Sequence, residues 1–283
     1  MSNELDRLRP EQRSLLARWV PDARVVADHS WGLTGTTVLE LHGEQGHLVL
    51  KAGDVADGHI ERELRAHREW LRPWVVTGHA PTFLYGDVPA KVVVTRFLPG
   101  QLVEGTPAQN DPQTYRQAGE LLAAFHGQAS LFHPDWHDEF RARVQRVLDR
   151  PHRIELEIER LLRAEVSTWP GGGSRVVPTH GDWQPRNWLM DDGVVRVIDM
   201  GRADMRPPTE DFVRLAGQDF ARDPELETAF LDGYGADPRT PEQWRRDFLG
   251  QAVGTAVWAY GVSDVAFEES GHALLRSLYP EHE

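Results

Sequence analysis

The stretch from His180 to Gly201 constrains this chain more than any other. It reads His180-Gly181-Asp182-Trp183-Gln184-Pro185-Arg186-Asn187-Trp188-Leu189, then Met190-Asp191-Asp192-Gly193, then Val194-Val195-Arg196-Val197-Ile198-Asp199-Met200-Gly201. Two apolar runs around an Asp-Gly pair predict a tight β-hairpin. That hairpin holds Asp182 and Asn187 at one end and returns Asp199 to the same end. Either aspartate alone reads as a turn or helix cap. With the asparagine, the hairpin and the glycine after Asp199 all in place, the three side chains read as a site.

Phosphoryl transfer from a nucleotide needs such a set, because an acceptor hydroxyl must be oriented while magnesium neutralises phosphate oxygens. Asp182 is the expected base, and Asn187 and Asp199 the expected metal ligands. An aspartate, an asparagine five residues later and an Asp-x-Gly after a hairpin match the spacing of kinase catalytic and metal loops. With Gly181 where protein kinases carry arginine, His-Gly-Asp-x-x-x-x-Asn resembles the aminoglycoside phosphotransferase family. The resemblance implies a bilobal, protein-kinase-like α+β fold, with an N-terminal five-stranded antiparallel sheet plus a helix and a mostly helical C-terminal lobe. It implies an ATP-dependent kinase of small-molecule hydroxyls, with GTP as the alternative nucleotide and Mg2+ as the ion.

The rest of the chain supplies the parts such an enzyme requires. Residues 4–20 read as helical around Pro10. Val25-Val26-Ala27 and Thr36 to Leu41 read as antiparallel strands joined by a Ser, Thr and Gly loop. Backbone N–H groups of such a loop can cradle phosphates, which makes Ser30, Gly32, Thr34, Gly35 and Thr36 candidate nucleotide-binding residues. The strand His47-Leu48-Val49-Leu50-Lys51 ends in one of only two lysines, the other being Lys91. Its expected role is to reach the α- and β-phosphates, held by a glutamate of the helix 57–71. At ~100° per residue, Glu63 borders the apolar stripe of Ile60, Leu64, His67 and Leu71 whereas Glu61 and Glu69 turn away. Glu63 is therefore the expected partner.

Residues 82–87 and 90–97 read as a hairpin that completes the sheet. The segment Phe97-Leu98-Pro99-Gly100 then breaks the pattern. The expected division is a nucleotide-binding lobe, 1–98, and a catalytic and substrate-binding lobe, 99–283. In the family resembled, the positions of Phe97 and Leu98 hold the adenine. Helices are expected over 111–128, 225–234, 242–262 and 266–278, with His126 a buried structural residue and Pro207-Pro208-x-x-Asp211 another family trait. Residues 139–166 read as a charged stretch with Ile154, Ile158, Leu161 and Leu162 as its buried stripe. Arg186 either neutralises charge on the transferred group or pairs with a neighbouring carboxylate. Asp247, Asp264, Glu268 and Glu269 read as surface charge, with the lining of a cation-binding pocket as the alternative.

Composition narrows the partners. A formal charge of −13 argues against a nucleic-acid binder and allows a cationic substrate. The absence of cysteine excludes disulfides and thiolate metal sites. No apolar stretch is long enough for a membrane span, and a cytoplasmic protein is expected. The leading expectation is phosphorylation of an antibiotic hydroxyl, for resistance or self-resistance. The alternatives are a metabolic kinase of choline, homoserine, a sugar or a nucleoside, and a nucleotide-binding pseudokinase. Neither the oligomeric state nor the acceptor is legible here.

Overall fold

Pro10 starts a helix and does not interrupt one. Its missing N–H falls where a helix has no acceptor to offer, so helix α1 spans Pro10–Trp19 after a 3-10 turn at Glu4–Arg7. The computed structural model describes residues 4–32 and 35–279; Thr34, a candidate loop residue, lies outside them. Strands β1 (Arg24–Asp28), β2 (Thr37–Gly43) and β3 (Gly46–Ala52) come next. Helices α2 (His59–Glu69) and α3 (Arg72–Val76), then strands β4 (Phe83–Asp87) and β5 (Val92–Arg96), follow. The first sheet has five antiparallel strands, as expected, in the order β1-β2-β3-β5-β4.

Strand β6 (Gln101–Leu102), helix α4 (Pro112–His126), strand β7 (Leu131–His133), helices α5 (Trp136–Leu148) and α6 (Leu156–Ser167), and strand β8 (Ser174–Thr179) lead to the catalytic stretch. There β9 (Trp188–Asp191) and β10 (Val194–Val197) form the expected hairpin. Asp192 and Gly193 at its tip have φ of 49° and 79°, the positive pair that suits a two-residue turn between twisted strands. After β11 (Asp204–Arg206) come α7 (Val213–Gly217), α8 (Asp219–Arg222), α9 (Pro224–Tyr234), α10 (Pro241–Val262) and α11 (Val265–Leu278). Two small sheets, β10-β9-β6 and β11-β8-β7, go beyond the sequence reading, because a pairing partner two or three residues long leaves no periodic signal.

The chain divides into two compact units. One comprises Met1–Gln128, His180–Asp204 and Thr228–Gly235; the other comprises Ala129–Thr179, Met205–Glu227 and Ala236–Glu283. In the first, Leu8, Leu16 and Val20 are packed against Leu39, Leu41, Leu48 and Leu50 on one face of the sheet. The alternation of β2 and β3 therefore sends Val38, Glu40, Val49 and Lys51 to the other face. On that side Ile60 and Leu64 of α2 meet Val93. In the second unit, α5, α6, α10 and α11 enclose a core containing Trp136, Phe140, Leu162, Trp169, Leu249 and Leu275. Asp247 and Glu268 are buried, contrary to the surface-charge reading. Asp247 accepts hydrogen bonds from Thr209 and Gln243, and Glu268 takes a two-pronged bond from Arg153. Asp264 caps α11, and Glu269 is an exposed partner of Arg276.

Candidate functional site

All the described candidate residues belong to the first unit. Lys51 ends the inner face of β3, and its Nζ lies 2.9 Å from Glu63 and 2.8 Å from Asp199. Glu63 is 4% exposed, as its place beside the apolar stripe of α2 predicts. Burial works against the Lys51 ammonium, yet Asp199 and Glu63 together hold it above the ordinary lysine value. Lys51 in turn keeps the Asp199 carboxyl below its usual range. Burial pushes Glu63 upward, with Lys51 pulling the other way. A buried lysine with two anionic partners stays charged and fixed in place.

Helix α2 also fixes the Asp199-Met200-Gly201 turn. His59 Nδ1 and Arg62 Nε each lie within hydrogen-bond distance of the Gly201 carbonyl, at 2.9 and 3.0 Å. Asp199 itself has φ of 65°, a left-handed conformation that costs a non-glycine residue about 1–3 kcal/mol. The bonds from α2 and the ion pair to Lys51 offset that strain.

Around the catalytic loop, Asp182, Gln184 and Asn187 are each less than 5% exposed. Asn187 Nδ2 donates to the Asp182 carbonyl at 2.7 Å and to Oδ2 of its carboxylate at 3.1 Å. The Asn187 carbonyl accepts from the N–H of Ile198 at 3.0 Å, which brings Asp199 next to the loop. Arg186 donates to Asp182 Oδ2 at 2.7 Å, so of its two expected roles this structure holds the carboxylate pairing. The Arg186 guanidinium also lies 5.8 Å from the centre of the Trp31 ring.

The loop from Ser30 to Thr36 is tied at both ends. Ser30 Oγ accepts from the N–H of Val38 at 3.0 Å, and Thr36 Oγ1 donates to Asp57 at 2.9 Å. Gly32 has φ of 78°, a conformation that favours glycine, and a Cβ on Gly35 would fall 1.9 Å from Asp54 Oδ2, so a side chain there would push the Asp54 carboxylate aside. At the other end of β3, the N–H of Phe97 donates to the His47 carbonyl, and the Phe97 and His47 rings stack 3.9 Å apart. Leu98 beside it is half-buried.

A family model described as the phosphotransferase enzyme family matches residues 26–246. The chain belongs to that family. Membership makes this phosphotransferase a small-molecule kinase. Among curated proteins no match was found. Solved structures resemble it in fold. The macrolide 2'-phosphotransferase MphH from Brachybacterium faecium, as apoenzyme, has 18% identity and a TM-score of 0.57, with 96% of this chain and 98% of that one covered. A choline/ethanolamine kinase family protein from Mesorhizobium loti has 19% identity and a TM-score of 0.66, covering 96% and 94%. A thermostable aminoglycoside phosphotransferase APH(4)-Ia, in ternary complex with AMP-PNP and hygromycin B, has 16% identity and a TM-score of 0.67, covering 95% and 98%.

Two parts of the phosphotransferase site escape motif reading. Gln184 Nε2 donates to Asp182 Oδ1 at 2.5 Å, a contact that the spacing of a polar residue in a loop does not announce. Beneath the loop lies an aromatic floor. Trp183 stacks 5.7 Å from Trp74 and meets Trp188 edge-on at 5.4 Å, while Trp74 stacks on Phe125 of α4 at 4.4 Å. Trp183, which stands where the family often has leucine or phenylalanine, is explained by this packing. His126 is buried with Nδ1 2.9 Å from the Tyr234 hydroxyl, in keeping with a structural role.

Proposed function

We propose that this phosphotransferase transfers the γ-phosphoryl group of ATP, with GTP as the alternative donor, to a hydroxyl of a small molecule, an antibiotic before all others. The observation that carries the reading is the convergence of two ion-pair systems in one unit, Lys51–Glu63–Asp199 and Asp182–Arg186–Asn187. A pseudokinase has no need to keep both. The domain reading is a nucleotide lobe, 1–98, and a catalytic and acceptor lobe, 99–283. Phosphates lie under the loop from Ser30 to Thr36 and against Lys51, which Glu63 orients. The base lies at Phe97 and Leu98.

The donor set fits magnesium. Asn187 spends its amide hydrogens on Asp182, so its carbonyl oxygen is the atom that would serve a cation, while Asp199 adds a carboxylate already paired with one cation, Lys51. Among the described residues no three His, Cys, Asp or Glu side chains form a self-sufficient metal cluster. This suits an ion that keeps its waters and takes substrate phosphates as further ligands. Bound there, Mg2+ supplies charge neutralisation on the transferred group.

Asp182 accepts the hydrogen of the substrate hydroxyl and aligns its oxygen for in-line attack. Arg186 steadies that carboxylate and stands next to the position where charge develops. No described helix is long and apolar enough to cross a membrane, and the reading places the enzyme in the cytoplasm. The structural likenesses to a macrolide phosphotransferase and to an aminoglycoside phosphotransferase with bound hygromycin B support an antibiotic acceptor. The likeness to a choline/ethanolamine kinase family protein supports the metabolic alternative.

The test is Mg-ATP- and Mg-GTP-dependent phosphorylation of aminoglycosides, macrolides, nucleoside antibiotics, choline, homoserine and sugars, read by product mass. A gain of one phosphoryl group on an antibiotic supports the proposal. Turnover confined to choline or homoserine replaces it with the metabolic reading. Nucleotide binding without any transfer favours the pseudokinase.

A further inference from the structure

The carboxylate of Asp182 is gripped from both sides by its own loop. Oδ2 accepts two hydrogen bonds, from Arg186 Nη2 and Asn187 Nδ2, and Oδ1 accepts one from Gln184 Nε2. A carboxylate oxygen has two lone pairs. Gln184 therefore acts directly on the orientation of the carboxylate that meets the acceptor hydroxyl.

The three donors differ in how firmly they can hold. Arg186 is a long side chain that is 30% exposed, whereas Gln184 is 4% exposed. Asn187 already has a second partner in the Asp182 carbonyl. A buried primary amide has a strong requirement for partners, and here it is directed at the catalytic carboxylate. The Gln184 carbonyl also accepts the N–H of Asn187, so the same residue shapes the turn that carries the asparagine. Remove the amide, and the carboxylate can turn about its Cβ–Cγ bond toward the guanidinium fork of Arg186, losing its aim at the hydroxyl.

We propose that Gln184 is a positioning residue for phosphoryl transfer, holding the Asp182 carboxylate in one orientation toward the acceptor hydroxyl. In a loose phosphoryl-transfer transition state, direction matters more than base strength. Donors on both of its oxygens make the carboxylate a well-aimed acceptor. The proposal rests on the kinase reading above, and its test separates the two.

The test is a double-mutant cycle with the acceptor that the panel identifies. Gln184→Leu keeps the bulk and removes the donor; a lost hydrogen bond to a charged group corresponds to a fall in kcat of about ten- to a hundredfold. KM for the acceptor and the Kd for Mg-nucleotide stay within about twofold, because the amide touches neither. Gln184→His, which restores an N–H donor, recovers most of the rate. Gln184→Glu, nearly the same shape but with an acceptor facing an acceptor, loses at least as much as Gln184→Leu. In an Asp182→Asn background Gln184→Leu costs nothing further, since it acts through the carboxylate.

Equal losses in both backgrounds, or a raised KM with kcat intact, overturn the positioning role and leave the kinase reading standing. A wild-type protein that transfers no phosphoryl group to any acceptor, water included, overturns the kinase reading and the proposal together.

Discussion

Thr36 donates its hydroxyl hydrogen to Asp57 at 2.9 Å, and Asp57 accepts the N–H groups of His59 and Ile60 at the start of the helix that carries Glu63. The loop assigned to the phosphates and the helix that orients Lys51 thus share one carboxylate. Thr36→Val, which keeps the shape and drops the hydroxyl, should weaken nucleotide affinity about three- to tenfold, the partly exposed share of a charged hydrogen bond. Thr36→Ser should stay near wild type. Isothermal titration with Mg-ATP measures both.

A methyl group on Gly35 would meet the Asp54 carboxylate, with its Cβ 1.9 Å from Oδ2, so Gly35→Ala must swing that side chain aside. Nucleotide affinity should fall by about threefold. Adding Asp54→Gly opens the space and should recover part of it. No recovery in the double variant would locate the strain elsewhere.

Glu63→Gln removes one of the two anions at Lys51 but keeps the shape of the side chain. The lysine then leans toward Asp199, out of its position for phosphates. Single-turnover kinetics should show kcat/KM lower by about tenfold to a hundredfold. The folded state should lose little, because the substitution also relieves the cost of a buried carboxylate.

Asp182→Asn removes the negative charge and replaces one acceptor oxygen by an N–H2 group, which must face either the donor of Gln184 at Oδ1 or that of Arg186 at Oδ2. Phosphoryl transfer should drop by about a hundredfold to ten-thousandfold, with Mg-nucleotide affinity within twofold as checked by equilibrium dialysis. A rate within a few-fold of wild type would refute the assignment of Asp182.

Asp247 adds a dependence of stability on pH. Burial, with Glu210 adding to it, raises its carboxyl from the ordinary value to about 7, against the pull of Thr209 and Gln243. Its folded-state pKa lies above the unfolded one, so the folded state binds the extra proton and stability falls as pH rises from about 4 to about 7. Asp247→Asn should flatten that slope and stabilise the protein at pH 8, by an amount on the order of 1–3 kcal/mol. Urea denaturation at pH 5 and pH 8 measures the change.

The parts of the fold that could be read from the sequence are those with a long period or a fixed spacing. The first sheet, the hairpin at Asp192-Gly193 and the Lys51–Glu63 pair all follow from alternation, turn chemistry and helical phase, and the structure has them. Strands β6 and β11 are too short to show a period. Asp247 and Glu268 read as solvated because charge in a helical stretch is usually outside, and only the tertiary partners Thr209, Gln243 and Arg153 reverse that. Gln184 belongs with them, since a hydrogen bond two residues away in a loop depends on backbone angles that spacing does not specify.

The indoles of Trp183, Trp74 and Trp188 bind the catalytic loop to helices α3 and α4 as a single packed block. In this chain a change of volume at one indole is passed to Asp182 and Asn187 together, since a close-packed interior transmits strain.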